Sequence, residues 1–258
     1  MMKYKIDKNK NIGNVIFVVE GGTLETGGTE LKLLKAVFAN VLGYEVQELR
    51  RGSDEFIGHG KSKFSRVFAL NLPKNQLTQL TEEALNMLFR RVREEFKIKP
   101  EDCPMFFIYD RDYLSYKANE LRGRYVCKYT DPYSNDSGDQ GQLLLSYPSV
   151  ESYLLSCVNT DVFKRRYYLG KDIKPDVISQ GISVETIKSD TEILNALEEM
   201  NKGLLSFGID TYNLDDLGST LLRVYDAQQA TVCAEDAFSA LSLISMALLE
   251  LGIIVEDD

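Results

Sequence analysis

The sequence predicts an α/β fold: a mainly parallel sheet flanked by helices, with a helical C-terminal extension. Three observations lead there. The run Val15 to Val19 in "NVIFVV" is apolar at every position, as in a strand buried on both faces. "PMFFIYD" repeats that pattern further on. Between them the periodicity is helical and then alternating, so that the order up to Asp110 reads β-α-β-β-α-β, which calls for crossover helices.

Each element has a local reason. "TELKLLKAVFANVLG" carries Leu31, Leu34, Val37, Phe38 and Val41 on one stripe, with Thr29 placed to cap it and Gly43 to end it. "YEVQEL" alternates like a strand, "RRGSDEFIGHGKSK" reads as a polar loop, and "RVFALNL" as a third strand. "TEEALNMLFRRVREEF" is a helix with Thr81 at its cap. "KYTDPYSNDSGDQGQ" has loop composition, and "LLLSY" is a short strand. Pro148 suits the first turn of a helix over "PSVESYLLSCV". Beyond about residue 160 strand signals fade. "TEILNALEEMNKGLLSFG" and "AEDAFSALSLISMALLELG" both read as helices, which divides the chain into 1–158 and 159–258. The second of these segments is apolar enough for a core helix or for an interface with a partner or a second copy.

Bulk numbers narrow the function. The 258 residues are 44% hydrophobic and 27% charged, a globular balance. No apolar run approaches the ~20 residues of a membrane span, and "MMKYKIDKNKN" lacks the apolar core of a signal peptide. A cytoplasmic protein without membrane contact is expected. The net charge of -9 removes a global basic footprint for nucleic acid, although "LFRRVREEFKIK" and "VFKRRYYLGK" are basic locally. Cys103, Cys127, Cys157 and Cys233 form no CxxC pair and read as reduced thiols. With His59 as the single histidine, zinc is disfavoured and a metal site must be built from oxygens, which suits Mg²⁺ or Mn²⁺.

The carboxylates are the informative feature. In "NVIFVVEGGTLETGGTE" the first strand ends on Glu20 and opens into an acidic, Gly-rich loop. The strand "FFIYDRDY" ends on Asp110, with Asp112 two residues on. Ligands of open α/β sheets bind beyond the C-terminal strand ends. Acids gathered there repel unless a cation binds or a proton is shared.

Apolar strand, Glu-Gly, helix, apolar strand, Asp-x-Asp: this order resembles the Toprim domain of topoisomerases, primases and the overcoming-lysogenization-defect nucleases. "VVEG" supplies Glu20 and Gly21, and "YDRD" supplies Asp110 and Asp112. Glu30 in "GGTELKLL" resembles the second acid of the nuclease branch, and Glu151 in "YPSVESYLL" a later one. The Glu20–Glu30 loop is longer than the family's spacing and holds Glu25, so Glu25 and Glu30 compete for the metal. The resemblance spans about residues 12 to 158 and implies a Mg²⁺- or Mn²⁺-dependent nuclease acting on DNA or RNA. Glu20, Asp110 and Asp112 would be catalytic, and Glu20, Glu30, Asp110, Asp112 and Glu151 would hold metal. Small Toprim nucleases of phage-defence pairs imply, further, a controlling ATPase partner. Arg111, Lys117, Arg122 and Arg124 follow the Asp-x-Asp closely and are candidates to hold the substrate backbone, as are His59, Lys61 and Lys63. The alternatives are a non-catalytic module of the same fold and a nucleotide-hydrolysing phosphotransfer enzyme.

Overall fold

The computed structural model describes residues 4–20, 28–50, 54–72, 80–111, 118–133, 140–210 and 217–257. The first half contains β1 (Tyr4–Ile6), β2 (Asn14–Val19), α1 (Thr29–Lys35), β3 (Glu45–Glu48), β4 (Phe56–His59), β5 (Arg66–Asn71), α2 (Glu82–Phe96), β6 (Met105–Asp110), α3 (Ala118–Leu121), β7 (Thr130–Asp131), β8 (Gly141–Tyr147) and α4 (Glu151–Val158). The second contains β9 (Arg166–Tyr167), α5 (Gly170–Ser179), α6 (Asp190–Ser206), α7 (Leu217–Glu235), β10 (Phe238–Ser239), β11 (Leu241–Ser242), α8 (Ile244–Glu250) and β12 (Ile254–Glu256).

The main sheet has the order β11-β8-β6-β2-β5-β4-β3, with β7 also on β8. Its centre, β8-β6-β2-β5, is parallel throughout. The outer strands β4, β3, β11 and β7 run antiparallel to their neighbours. Strands β2 and β6 are direct neighbours, with Ile16 opposite Met105 and Val19 opposite Ile108. Their unbroken apolar sequences follow from this central position. Residues 15–19 and 105–109 are buried, and each large side chain removed from water contributes roughly 1.5–3 kcal/mol. The Phe17 ring packs against Phe38 from beyond α1 and stacks on Phe106 of β6, at centroid distances of 5.7 and 5.3 Å. At the start of β8, Gly141 takes φ +117° with its Cα against the Phe107 ring, a place with no room for a Cβ.

Several local expectations change. Gly28, extended at φ −69°, is the N-cap of α1, and Thr29 is already helical. Beyond Lys35 the chain winds more widely, as a π-type segment over Ala36–Val41. Thr81 caps α2 as expected, its hydroxyl accepting the Ala84 N–H at 3.2 Å. Part of the expected loop around His59 is strand β4, because Phe56 and Gly58 turn inward while Ile57 and His59 turn outward. Helix α4 starts at Glu151 rather than at Pro148, and Pro148 follows a cis peptide bond.

The largest correction concerns the C-terminus. The segment expected as one helix is the end of α7, two short strands and α8, and a last strand follows it. Strand β11 joins the main sheet beside β8, and β12 pairs with β1 at the other end of the chain. Residues 159–258 are therefore helical with added strands, and their apolar side chains share one hydrophobic cluster with the first 158. Among the described residues no helix is long and apolar enough to cross a membrane. None of the four cysteines is disulfide-bonded.

Candidate metal centre

The C-terminal ends of β2, β6 and β8 lie together because these strands are parallel neighbours. Glu20 leaves β2 there, its N–H donating to Ile108 O of β6 at 3.1 Å. Its side chain turns toward β6, where Oε2 accepts the Asp110 N–H at 3.3 Å. Asp110 is the last residue of β6, held opposite Ser146 of β8. The next N–H, that of Arg111, donates to Ser146 O at 2.8 Å, which fixes the strand end. Asp110 Oδ1 accepts the Val150 N–H at 2.7 Å, just before α4.

Two further acids come from the helices that follow. Glu30, the second residue of α1, is 6% exposed, and Glu151, the first residue of α4, is 9% exposed. Glu151 Oε2 accepts the Ser149 hydroxyl at 2.6 Å, and its Oε1 stands 3.9 Å from Lys174 Nζ of α5.

Electrostatics ties the four acids into one group. Burial pushes Glu30 up to about 8, and the charges of Glu20 and Glu151 add to the rise. Lys174 and the Glu30 backbone N–H oppose it. Asp110 is likewise held well above the usual carboxylate range, first by burial and then by Glu30, Glu151 and Glu20. Both shifts have the sign of carboxylates deprived of water and facing one another.

Of the acids expected at the site, Glu20, Glu30, Asp110 and Glu151 are thus brought together, while Asp112 and Glu25 lie outside the described residues. Oxygen donors in this number suit a hard divalent ion, and a cation among them would reverse the sign of the local field. The spacing is looser than a closed coordination shell: among the described residues no three His, Cys, Asp or Glu side chains are placed to hold one ion. The four side chains brought together, Glu20, Glu30, Asp110 and Glu151, offer oxygen donors alone.

The expected substrate cations are placed otherwise. Arg111 is 1% exposed, its guanidinium over the rings of Tyr225 and Phe238 at 5.8 and 5.5 Å, so it packs the C-terminal half against the sheet. Arg122 grips Asp226 through two bonds of 2.7 and 2.8 Å, and Arg124 pairs with Glu120 at 2.8 Å. Lys117 lies outside the described residues. His59 pairs with Arg66 at the start of β5, and Arg66 pairs with Asn14 at the start of β2. His59 therefore lies at the end of the sheet opposite Glu20, and with it the loop of Lys61 and Lys63, which corrects their expected phosphate role.

Ser149 and Lys174 were not anticipated. A hydroxyl two residues before a buried Glu was legible as a local partner. Lys174 had no such signal, since α5 lies outside the resembling segment and only folding brings it to Glu151. Compared with known proteins, the chain matches no family model, no curated protein and no solved structure.

Proposed function

We propose that this chain is a divalent-metal-dependent nuclease of Toprim type that hydrolyses phosphodiester bonds in DNA or RNA. The observation that supports it best is the meeting of Glu20, Glu30, Asp110 and Glu151 at the ends of three parallel strands, with Glu30 and Asp110 shifted upward by burial and by neighbouring acids. A structural acid is normally given a cationic neighbour. Here three neighbours of Asp110 are acids.

Mg²⁺ or Mn²⁺, when bound, supplies neutralisation of phosphate charge and an activated water. The chain's own groups do the rest. Asp110 is oriented by the Val150 N–H, and Glu20 by the Asp110 N–H. Asp112 joins them in this reading. Glu30, pushed by burial up to about 8, keeps a proton near neutral pH, and its carboxyl would exchange that proton for positive charge placed among the acids. Ser149 fixes one oxygen of Glu151 and leaves the other toward Lys174. An ATPase partner that restrains the nuclease in the cytoplasm, and self-association, belong to the same reading.

The test is cleavage of DNA and of RNA with Mg²⁺ and Mn²⁺, alone and with a co-expressed ATPase. Asp110→Ala should reduce cleavage to background while preserving the fold. A double variant Asp110→Ala/Asp112→Ala that cleaves at the wild-type rate defeats the mechanism. A second reading, a non-catalytic module of the same architecture, draws on the absence of a closed three-ligand group among the described residues. Metal binding by calorimetry without any cleavage would favour it.

A further inference from the structure

Beside the carboxylate cluster the surface opens into a cleft of about 270 Å³ that shares Glu151 with it. Its walls are apolar: Leu154 of α4, Val177 and Ile178 of α5, and Val184 from the turn that follows. Two cations, Lys32 of α1 and Lys174 of α5, and two hydroxyl residues, Thr29 and Ser183, also line it. Ile178 is 75% exposed at the rim, an unusual position for a large aliphatic side chain with nothing above it among the described residues.

We infer that this cleft binds one nucleoside monophosphate unit, the nucleotide next to the linkage being cut. The inference rests on the nuclease reading and adds to it the place of the substrate. Three features select this chemistry. Two lysines, Lys32 and Lys174, are the cations that line it, which fits a ligand with one anionic head. Glu151, Glu30 and Glu185 are the acids that face them: Lys174 stands 3.9 Å from Glu151 and also acts on Glu30, and Lys32 helps to hold Glu185 below the usual carboxylate range, after its bonds from Ser183 and its own backbone. The aliphatic walls receive the flat faces of a base, and the hydroxyls of Thr29 and Ser183 meet the polar edges of base and sugar. The volume, just below the ~300–1,000 Å³ common for small-molecule sites, is on the scale of one such unit. Because Glu151 lines both places, a phosphate at the lysines lies alongside the acids.

The experiment titrates the full chain, in chelator and without divalent ions, with AMP and dAMP, the matching free nucleosides, inorganic phosphate and hexanoate, using calorimetry and NMR amide shifts. The monophosphates should bind at least about tenfold more tightly than nucleoside, phosphate or hexanoate. Lys32→Glu and Ile178→Glu, both at exposed positions, should each weaken that binding about tenfold or more. Lys99→Glu, the same charge change just before β6 at the other end of the sheet, should leave it unchanged. No binding by the wild-type chain, equal binding of hexanoate, or indifference to both cleft variants overturns the inference. Cleavage is scored separately. Monophosphate binding without any cleavage leaves the cleft standing and removes the nuclease, and cleavage without monophosphate binding does the reverse.

Discussion

Two regions of this protein bury glutamates, and they do so in opposite ways. At one, Glu55 is 4% exposed and fully matched: Arg91 donates to both of its oxygens at 2.8 Å, and the Asn71 N–H adds a third bond at 2.9 Å. At the other, Glu30 is 6% exposed and its neighbours are Glu20 and Glu151, with Lys174 as the weaker, opposing influence. The first carboxylate has its counter-ion built into the fold. The second has charge gathered around it that only a proton or an incoming cation relieves. Similar burial with opposite company separates an acid that holds the fold together from one that works against it when ionised.

The contrast can be broken at the paired site first, where the largest effect on stability is expected. Arg91→Ala leaves Glu55 buried with its charge uncompensated and should cost about 3–5 kcal/mol in denaturant unfolding. A loss below about 1 kcal/mol would place Glu55 in a far wetter setting than its bonds describe.

At the unpaired site the sign reverses. The folded protein holds the Glu30 proton up to about pH 8, whereas the unfolded chain releases it near 4.5. Between those values the folded state binds more protons, so stability falls as pH rises through the window. Glu30→Gln should therefore stabilise the chelated protein near pH 7, by on the order of 2 kcal/mol, and flatten that slope. Millimolar Mg²⁺ should flatten it in the wild type. Thermal melts from pH 5 to 8 in chelator and in Mg²⁺ read both effects, and a wild-type profile that rises with pH in chelator would contradict the cluster.

Ser149→Ala tests a smaller feature of the same cluster. The hydroxyl orients Glu151 without being one of the gathered acids, and its loss should weaken divalent-ion binding about 10- to 100-fold in calorimetry while the fold persists. Arg122→Ala should do least. Its pair with Asp226 is exposed on both sides and screened by water, so neither the unfolding midpoint nor cleavage should change measurably. A large loss of cleavage would return Arg122 to the substrate.

The legibility of these regions in the sequence was uneven for physical reasons. Val15–Val19 and Met105–Tyr109 could be read as strands because a central parallel strand is buried on both faces and must be apolar throughout. Glu20 and Asp110 could be paired in advance because two such strands ended on acids. "FSALS" misled because β10 and β11 are two residues each, too short for alternation to register against the helical period on either side. His59 misled because the glycines and charges around it resemble a loop, while β4 lies toward the sheet edge and needs only Phe56 and Gly58 turned inward.

By itself the sequence determined the α/β class, the two central strands and the acids at the strand ends. These are local properties: each follows from what a short segment must bury or expose. Tertiary structure alone decided which charges meet. Arg111 and Arg122 were turned from the presumed substrate toward Tyr225, Phe238 and Asp226, because α7 and β10 pack onto the segment after β6. Lys174 was brought to Glu151 across a sequence separation of 23, and Glu20 to Asp110 across one of 90. Electrostatic energy depends on distance in space and on the surrounding dielectric, and neither quantity is carried by position along the chain.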